Sequence, residues 1–396
     1  MQAIKKKLGF KPGEEGGLEK ENVIFMGVGG PCMTAEGLQS LFPIEELSIM
    51  GIFEVLPHIL HLRRRLIQMV ETVKNQKPDI VITIDSPGFH LPLAKRLQPL
   101  RNSGRTSESP SEKSFSLIHY VAPSVWAWKS GRAKKMASLY DHVLTLFSFE
   151  PPYFKAHGLK ATCVGHPIVE TCGQGGQGVK KNFLNAYDLP SDVCVLCVLP
   201  GSRRAEIMRL MPIFKETVAL LSLKNPHLHV VIPTLGTLQD LVQRQSQGWA
   251  VPVTVVTDVA HKQGAFKASR CALAASGTVT LELALHNLPM VVAYRVNRVT
   301  AWLARRLIKT PFACLVNIVL GKRAVPELLQ NDCRPTRLAE LLQYLIEESP
   351  ARNRQLQDLK EVCQQLSCSE SPSAKAAEIV LHYMPSGGTP QGLPMP

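Results

Sequence analysis

The sequence predicts an α/β protein built of two Rossmann-like domains. Three observations carry that expectation. Short β-branched runs alternate with longer amphipathic segments along the chain. A length of 396 residues exceeds the usual size of one hydrophobic core. A Gly-rich stretch without apolar periodicity divides the strand-like runs into two sets.

Taken in order, residues 22–26, 79–84, 115–121 and 142–146 read as buried strands of the first domain. Residues 193–199, 227–232, 251–256, 271–274 and 290–294 read as those of the second. Helical patterns such as 62–74 and 209–223 lie between them. Strand, helix, strand in repetition gives parallel sheets covered on both faces. The expected boundaries are a first domain over 1–170, a linker over 171–181, a second domain over 182–384 and a disordered tail over 385–396. The linker rests on Thr171-Cys-Gly-Gln-Gly-Gly-Gln-Gly, and the active site is expected in the cleft beside it. Residues 102–114 are a polar, Ser-rich insertion that reads as a surface loop.

Hydrophobic residues make up 45% of the chain and charged residues 19%, a balance that suits a globular protein. The formal net charge of +13 favours an anionic partner: nucleic acid, a phosphorylated substrate or an acidic membrane surface. No nucleic-acid motif or aromatic platform with basic interleaving is present, so nucleic acid is not expected. No apolar run approaches the ~20 residues that cross a bilayer, and the start, Met1-Gln-Ala-Ile-Lys-Lys-Lys, lacks the apolar core of a secretory signal. A soluble or peripheral protein is expected. The 10 cysteines read as reduced thiols. Cys194 and Cys197 are an odd number of residues apart in a strand-like run, which sends them to opposite faces, so no metal site is expected. Val299, Trp302, Leu303 and Leu307 share a helical face, with Arg298, Arg305, Arg306 and Lys309 as cations. That pattern suits an anionic lipid surface, and packing on its own domain is the alternative. Ile59, Leu62 and Leu66 with Arg63, Arg64 and Arg65 form a second such patch.

The run Tyr120-Val-Ala-Pro-Ser-Val-Trp-Ala-Trp-Lys-Ser-Gly-Arg closely resembles the signature of lipid A disaccharide synthases. Further matches are colinear: Phe25-Met-Gly-Val-Gly-Gly-Pro, Ile84-Asp-Ser-Pro-Gly-Phe, Val164-Gly-His-Pro, Leu199-Pro-Gly-Ser-Arg-Arg-Ala-Glu, Ala275-Ser-Gly-Thr-Val-Thr-Leu-Glu, Lys309-Thr-Pro-Phe and Val316-Asn-Ile. Together they extend the resemblance across nearly the whole chain. It implies the two-domain GT-B glycosyltransferase architecture, with the nucleotide on the C-terminal domain and the acceptor on the N-terminal one. It also implies transfer of diacylglucosamine from UDP-diacylglucosamine to diacylglucosamine 1-phosphate, forming a β-1,6 disaccharide, and no cofactor.

Members of that family begin with a strand, a Gly-Glu-x-Ser-Gly-Asp loop and a helix upstream of the Phe25 match. Met1, Ile4 and Leu8 keep the apolar spacing of the end of that helix, so the first strand of the N-terminal domain is expected to be missing. Such a strand is central in doubly wound sheets, and its loss strips two inner edges of partners. The N-terminal domain and its activity are expected to suffer, and the alternative function is a truncated, non-catalytic binder of UDP-sugar or acidic lipid. The Ser-rich insertion and shortened start suggest an organellar product. Plant members are associated with mitochondria, which is the expected location, peripheral to a membrane; the alternative is a bacterial cytoplasm, at the inner membrane.

The physical reading of each motif leaves two options. Gly201 and Ser202 can set backbone N–H groups beside a diphosphate while Arg203 adds a cation, or the run is a plain strand-to-helix turn. Glu206 binds substrate or simply favours the positive helix end. Ser276, Gly277 and Thr278 permit close backbone approach, and Glu282 on the next helix is the ribose candidate; a capped helix with an exposed Glu is the alternative. Asp85, ending a strand, resembles the family's acceptor-site aspartate and is the candidate general base, or else it caps the following helix. Ser124, Trp126, Lys129 and Arg132 suit a wall around sugar and phosphate, with Trp126 and Trp128 sharing a face if the segment is extended. His119 and His166 are substrate contacts or packed structural histidines. Asn317 is a substrate contact carried by its place in Val-Asn-Ile.

Overall fold

The computed structural model describes residues 1–9, 23–47, 59–103, 114–171, 178–297, 301–302, 306–308, 310–367 and 369–384. The chain divides into two compact units: unit 1 comprises Met1–Pro167 and Cys368–Pro396, and unit 2 comprises Ile168–Ser367. Two of the expected boundaries are corrected. Gly178–Ala186, partly assigned to a linker, is helical. Thr171 ends helix Ile168–Thr171, and linker residues 172–177 and the tail 385–396 lie outside the described residues. The end of the expected second domain returns to unit 1.

The physical cause of that return is the apolar face of helix Pro372–Leu381. Ala377 and Val380 pack with Ile4, Ile118, Leu144 and Val164. Lys7 Nζ reaches Glu378 at 2.9 Å, and Tyr383 Oη meets His142 Nδ1 at 3.2 Å.

Unit 1 holds two parallel sheets. Strands β1 (Met26–Gly27) and β2 (Gln39–Ser40) pair, among the described residues, with each other alone. Strands β3 (Ile80–Ile84), β4 (Ser116–Tyr120), β5 (His142–Thr145) and β6 (Lys160–Cys163) form the larger sheet in that order. Its helix-covered face buries Leu117, Val143, Ala161, Met136 and Phe154. Among the described residues β3 has a neighbour on one side alone, and its Ile82 and Ile84 are 38% and 39% exposed. An inner-type strand, apolar on both faces, thus stands at an edge.

Unit 2 holds a six-stranded parallel sheet in the order β12-β11-β10-β7-β8-β9. The strands are β7 (Cys194–Leu199), β8 (Leu228–Pro233), β9 (Val253–Val256), β10 (Cys271–Ala275), β11 (Met290–Tyr294) and β12 (Glu327–Leu329). Val195 to Leu199 are all buried, as expected of a strand covered on both faces. Helix Arg204–Ser222 covers one face through Ile207, Leu210, Met211, Phe214, Val218 and Leu221, which recur at helical spacing. Each such side chain contributes roughly 1.5–3 kcal/mol of burial.

Candidate active site

In unit 2 the order of strands reverses between β7 and β10, whose register sets Leu199 beside Ala274. In open parallel sheets, ligands bind outside the carboxyl ends of the strands at such a switch point. The two Gly-containing motifs leave the sheet there, side by side.

After β7, Gly201 turns at φ +113°, and a Cβ on it would lie 2.4 Å from Glu206 Oε2. Only glycine fits. Glu206, in the first turn of helix Arg204–Ser222, accepts from Ser202 N–H at 3.2 Å and pairs with Arg203 at 3.1 Å. The carboxylate therefore occupies the anion position that the sequence assigned to a diphosphate, and Arg203 keeps an exposed guanidinium beside it. After β10, Gly277 faces open space, since a Cβ there would meet nothing within 4 Å. The Ser276 hydroxyl donates to Ala313 O at 2.7 Å, while Thr278 is exposed at the start of helix Val279–Leu285. Glu282 is not simply exposed: its carboxylate meets Lys262 Nζ at 2.6 Å.

Asn317 is corrected from substrate contact to structural clamp. Its amide is fully buried and saturated. Nδ2 donates to Val325 O and Glu327 Oε1, at 2.8 and 2.6 Å, and Oδ1 accepts from Ala324 N–H and Val325 N–H, at 2.9 and 2.8 Å. Glu327 in turn accepts from Ala313 N–H and Cys314 N–H. No hydrogen-bonding capacity of that amide is left for a ligand.

In unit 1 the carboxyl ends of β3 to β6 carry the other candidates. Asp85 is exposed directly after β3, with φ +52°, and Ser86 follows at φ +41°. Val121, directly after β4, has φ +69°. Left-handed backbone costs a non-glycine residue about 1–3 kcal/mol and gathers at functional sites. The neighbouring strand holds Asp85 in place, its N–H donating to Tyr120 O at 2.9 Å.

A polar network runs beneath these turns. His90 Nδ1 meets Asp85 O at 2.7 Å, and Tyr140 Oη donates to His90 O at 3.2 Å. Thr83 Oγ1 lies 3.3 Å from Tyr140 Oη and 2.7 Å from His119 Nδ1. A carbonyl only accepts, so one proton order satisfies every link: His119 to Thr83, Thr83 to Tyr140, Tyr140 to His90, and His90 to Asp85. His119 is thus a neutral structural histidine rather than a substrate contact. Its buried Nε2 has no partner in hydrogen-bond geometry. Burial, then the neighbouring His90, pushes its pKa down to about 3, with the Val121 backbone pulling the other way.

The aromatic signature does not extend. Ala127 N–H and Trp128 N–H both donate to Ser124 O, closing a turn that separates the tryptophans. Trp126 therefore faces inward, donating to Glu150 Oε1 at 3.0 Å and packing edge-on to Phe149. Glu150, nearly fully buried, also accepts from Leu146 N–H and Phe147 N–H at 3.0 Å. Burial raises its pKa against these hydrogen bonds. Trp128 carries Lys129 Nζ and Arg132 Cζ over its ring at 4.5 and 4.9 Å, beside exposed Ser124. His166 is buried with its ring beside Phe147, one of the two options the sequence left, and burial pushes its pKa down to about 4.

Of the two basic patches, Trp302 is 56% exposed and carries Arg306 over its ring at 4.2 Å, with Leu307 and Ile308 exposed nearby. Leu303 and Arg305 lie outside the described residues. In the other patch Leu66 enters the core and Arg65 forks onto Glu46 at 2.6 and 2.8 Å, while Ile59, Arg63 and Arg64 are exposed.

Comparison with known proteins gives this geometry its context. The family model described as Lipid-A-disaccharide synthetase matches residues 14–380. The chain belongs to the lipid-A-disaccharide synthetase family. Its relatives include the lipid-A-disaccharide synthase of Rhodospirillum centenum, 45% identical over 364 residues that cover 92% of this chain and 88% of that protein. The Paramagnetospirillum magneticum synthase is 41% identical over 392 residues, 98% of this chain and 94% of its own length. The chain is accordingly an enzyme, a glycosyltransferase of lipid A disaccharide synthesis. Among solved structures, a UDP-GlcNAc 2-epimerase from Neisseria meningitidis bound to UDP-GlcNAc aligns with TM-score 0.53 at 13% identity, covering 87% of this chain and 85% of that one. The S. aureus MnaA-UDP co-structure aligns with TM-score 0.55 at 14% identity, covering 87% and 86%. These likenesses carry the fold: α/β with parallel sheets, of the GT-B type, as the sequence predicts.

Sequence reasoning missed Thr83, His90, Tyr140, Glu150 and Glu327. Only His90 had a local signal, its place one helical turn beyond the Asp85-Ser86-Pro87 run.

Proposed function

We propose that the chain transfers 2,3-diacylglucosamine from UDP to 2,3-diacylglucosamine 1-phosphate, giving the β-1,6-linked disaccharide 1-phosphate and UDP. The observation that carries this reading is the meeting of the two Gly-containing turns at the β7–β10 switch point, in a chain of this family. UDP takes the open surface at Gly277, with its diphosphate beside Gly201 and Ser202. Arg203 exchanges Glu206 for phosphate oxygens, and Glu282 exchanges Lys262 for the ribose hydroxyls. Asp85 is the general base. Its carboxylate takes the proton of the acceptor's 6-hydroxyl as that oxygen bonds to the anomeric carbon. The bond from that carbon to the diphosphate oxygen breaks on the opposite face, its electron pair leaving with UDP, so an α-linked donor yields a β-linked product. Exposed Lys129 and half-buried Arg132, both over the Trp128 ring, supply cations for the acceptor phosphate.

Peripheral membrane attachment through Trp302, Arg306, Leu307 and Ile308 is part of the proposal, since diacylated substrates reside in bilayers. A mitochondrial membrane is the location proposed. Flotation with anionic vesicles, lost on Trp302→Ala with Arg306→Ala, checks the attachment.

Turnover of both substrates in detergent micelles tests the reaction. Release of UDP in step with a β-linked disaccharide supports it. Folded protein that binds UDP and forms no disaccharide sinks it.

A further inference from the structure

The chain of buried Thr83, His119 and Tyr140 and half-buried His90 touches no position assigned to a ligand, yet it ends on the backbone of the residue assigned as base. Asp85 and Ser86 are consecutive left-handed residues with side chains, a conformation that needs external support. On one side the support is Tyr120 O, which accepts from Asp85 N–H at 2.9 Å. On the other it is the His90 ring, whose Nδ1 lies 2.7 Å from Asp85 O. His90 is itself held at three points: its N–H donates to Ser86 O at 3.0 Å, its carbonyl accepts from Tyr140, and its ring packs edge-on to Phe89 and His119.

We propose that His90 is a positioning residue, whose Nδ1–H fixes the left-handed Asp85 backbone and so aims the Asp85 carboxylate at the acceptor hydroxyl. The inference rests on the reading of Asp85 as base. It makes a prediction specific to one ring nitrogen. Asparagine carries an N–H donor on Cγ, where histidine carries Nδ1. Glutamine carries its donor one bond farther out, near the place of Nε2, and cannot reach Asp85 O from the same backbone.

The experiment compares wild type, His90→Asn and His90→Gln by steady-state kinetics on the two diacylglucosamine substrates, and by deuterium uptake of a peptide spanning residues 84–91. In His90→Gln, kcat falls about 10- to 100-fold while KM stays within about threefold, because orientation and not ground-state binding is lost. His90→Asn recovers most of that loss. Deuterium uptake at Asp85 and Ser86 rises in His90→Gln and returns towards wild type in His90→Asn. Equal kinetics and equal uptake in the two variants overturn the proposal, as does a loss confined to KM. Should wild type turn over neither substrate, the assigned reaction fails by itself. Uptake then decides the positioning role: a difference between the two variants sustains it, and no difference ends it.

Discussion

Leu199 on β7 and Ala274 on β10 stand in register as neighbours at the point where the strand order of unit 2 reverses. Two turns separated by more than seventy residues in sequence, around Gly201 and Gly277, therefore leave the sheet together. Gly201 is where this arrangement is most sensitive. In Gly201→Ala the new Cβ meets the Glu206 carboxylate and the backbone keeps an unfavourable φ of +113°. The expected cost is about 1–3 kcal/mol of stability, read as a lowered urea midpoint, together with weakened UDP binding by calorimetry. UDP affinity that survives the loss of stability would remove this turn from the diphosphate site.

Asp85→Asn preserves shape and hydrogen-bonding reach while removing the proton acceptor. General-base catalysis contributes about 10²- to 10⁴-fold, so kcat is expected to fall by that factor with unchanged circular dichroism. Undiminished turnover by the folded variant eliminates Asp85 as base.

Asn317→Leu tests the correction made to that residue. The substitution strands Ala324 N–H, Val325 N–H and Val325 O in a buried setting, while Glu327 keeps Ala313 N–H and Cys314 N–H. Unfolding free energy should drop by about 2–4 kcal/mol. The UDP dissociation constant of the remaining folded protein should hold within about threefold, a shift of less than about 0.7 kcal/mol. A larger loss of UDP affinity with little change in stability would restore Asn317 as a ligand contact.

The same residues mark what a sequence can carry. The long apolar strands β7, β10 and β11 and the Gly-containing turns after them were legible, because strand period and turn chemistry are local. Strands β2, β6 and β12 were not: Gln39–Ser40, Lys160–Cys163 and Glu327–Leu329 are short and lack sustained apolar patterning. An extended segment would set Trp126 and Trp128 on one face, and nothing local announces that Ser124 O gathers two N–H groups and turns the chain between them. Nothing in the Val-Asn-Ile run announces that Ala324, Val325 and Glu327, beyond its own helix, saturate the Asn317 amide. Helix Pro372–Leu381 has an apolar face, but the sequence does not name its partner, and the partner is unit 1.

Acid should act on unit 1 first. His119, His142 and His166 are buried there, with pKa values pushed down by burial to about 3, about 4 and about 4. In the unfolded chain each titrates near 6.5. Above that pH both states are neutral at these sites, and stability is at its full value. As pH falls below about 6.5 the unfolded chain takes up protons that the native state refuses, so stability falls with pH, by up to about 1.4 kcal/mol per unit for each histidine. The loss continues until the native pKa is passed, near 4 for His142 and His166 and lower for His119. Urea unfolding at pH 7.5 and pH 5.0, followed by the fluorescence of Trp126 and Trp128 in a Trp249→Phe, Trp302→Phe background, is expected to show a lower midpoint at pH 5.0. His142→Gln keeps a polar partner for Thr162 and removes one titrating site, so its midpoint should change less between the two pH values. An equal or higher midpoint at pH 5.0 in the parent protein would mean that these rings accept protons in the folded state as readily as in the unfolded one.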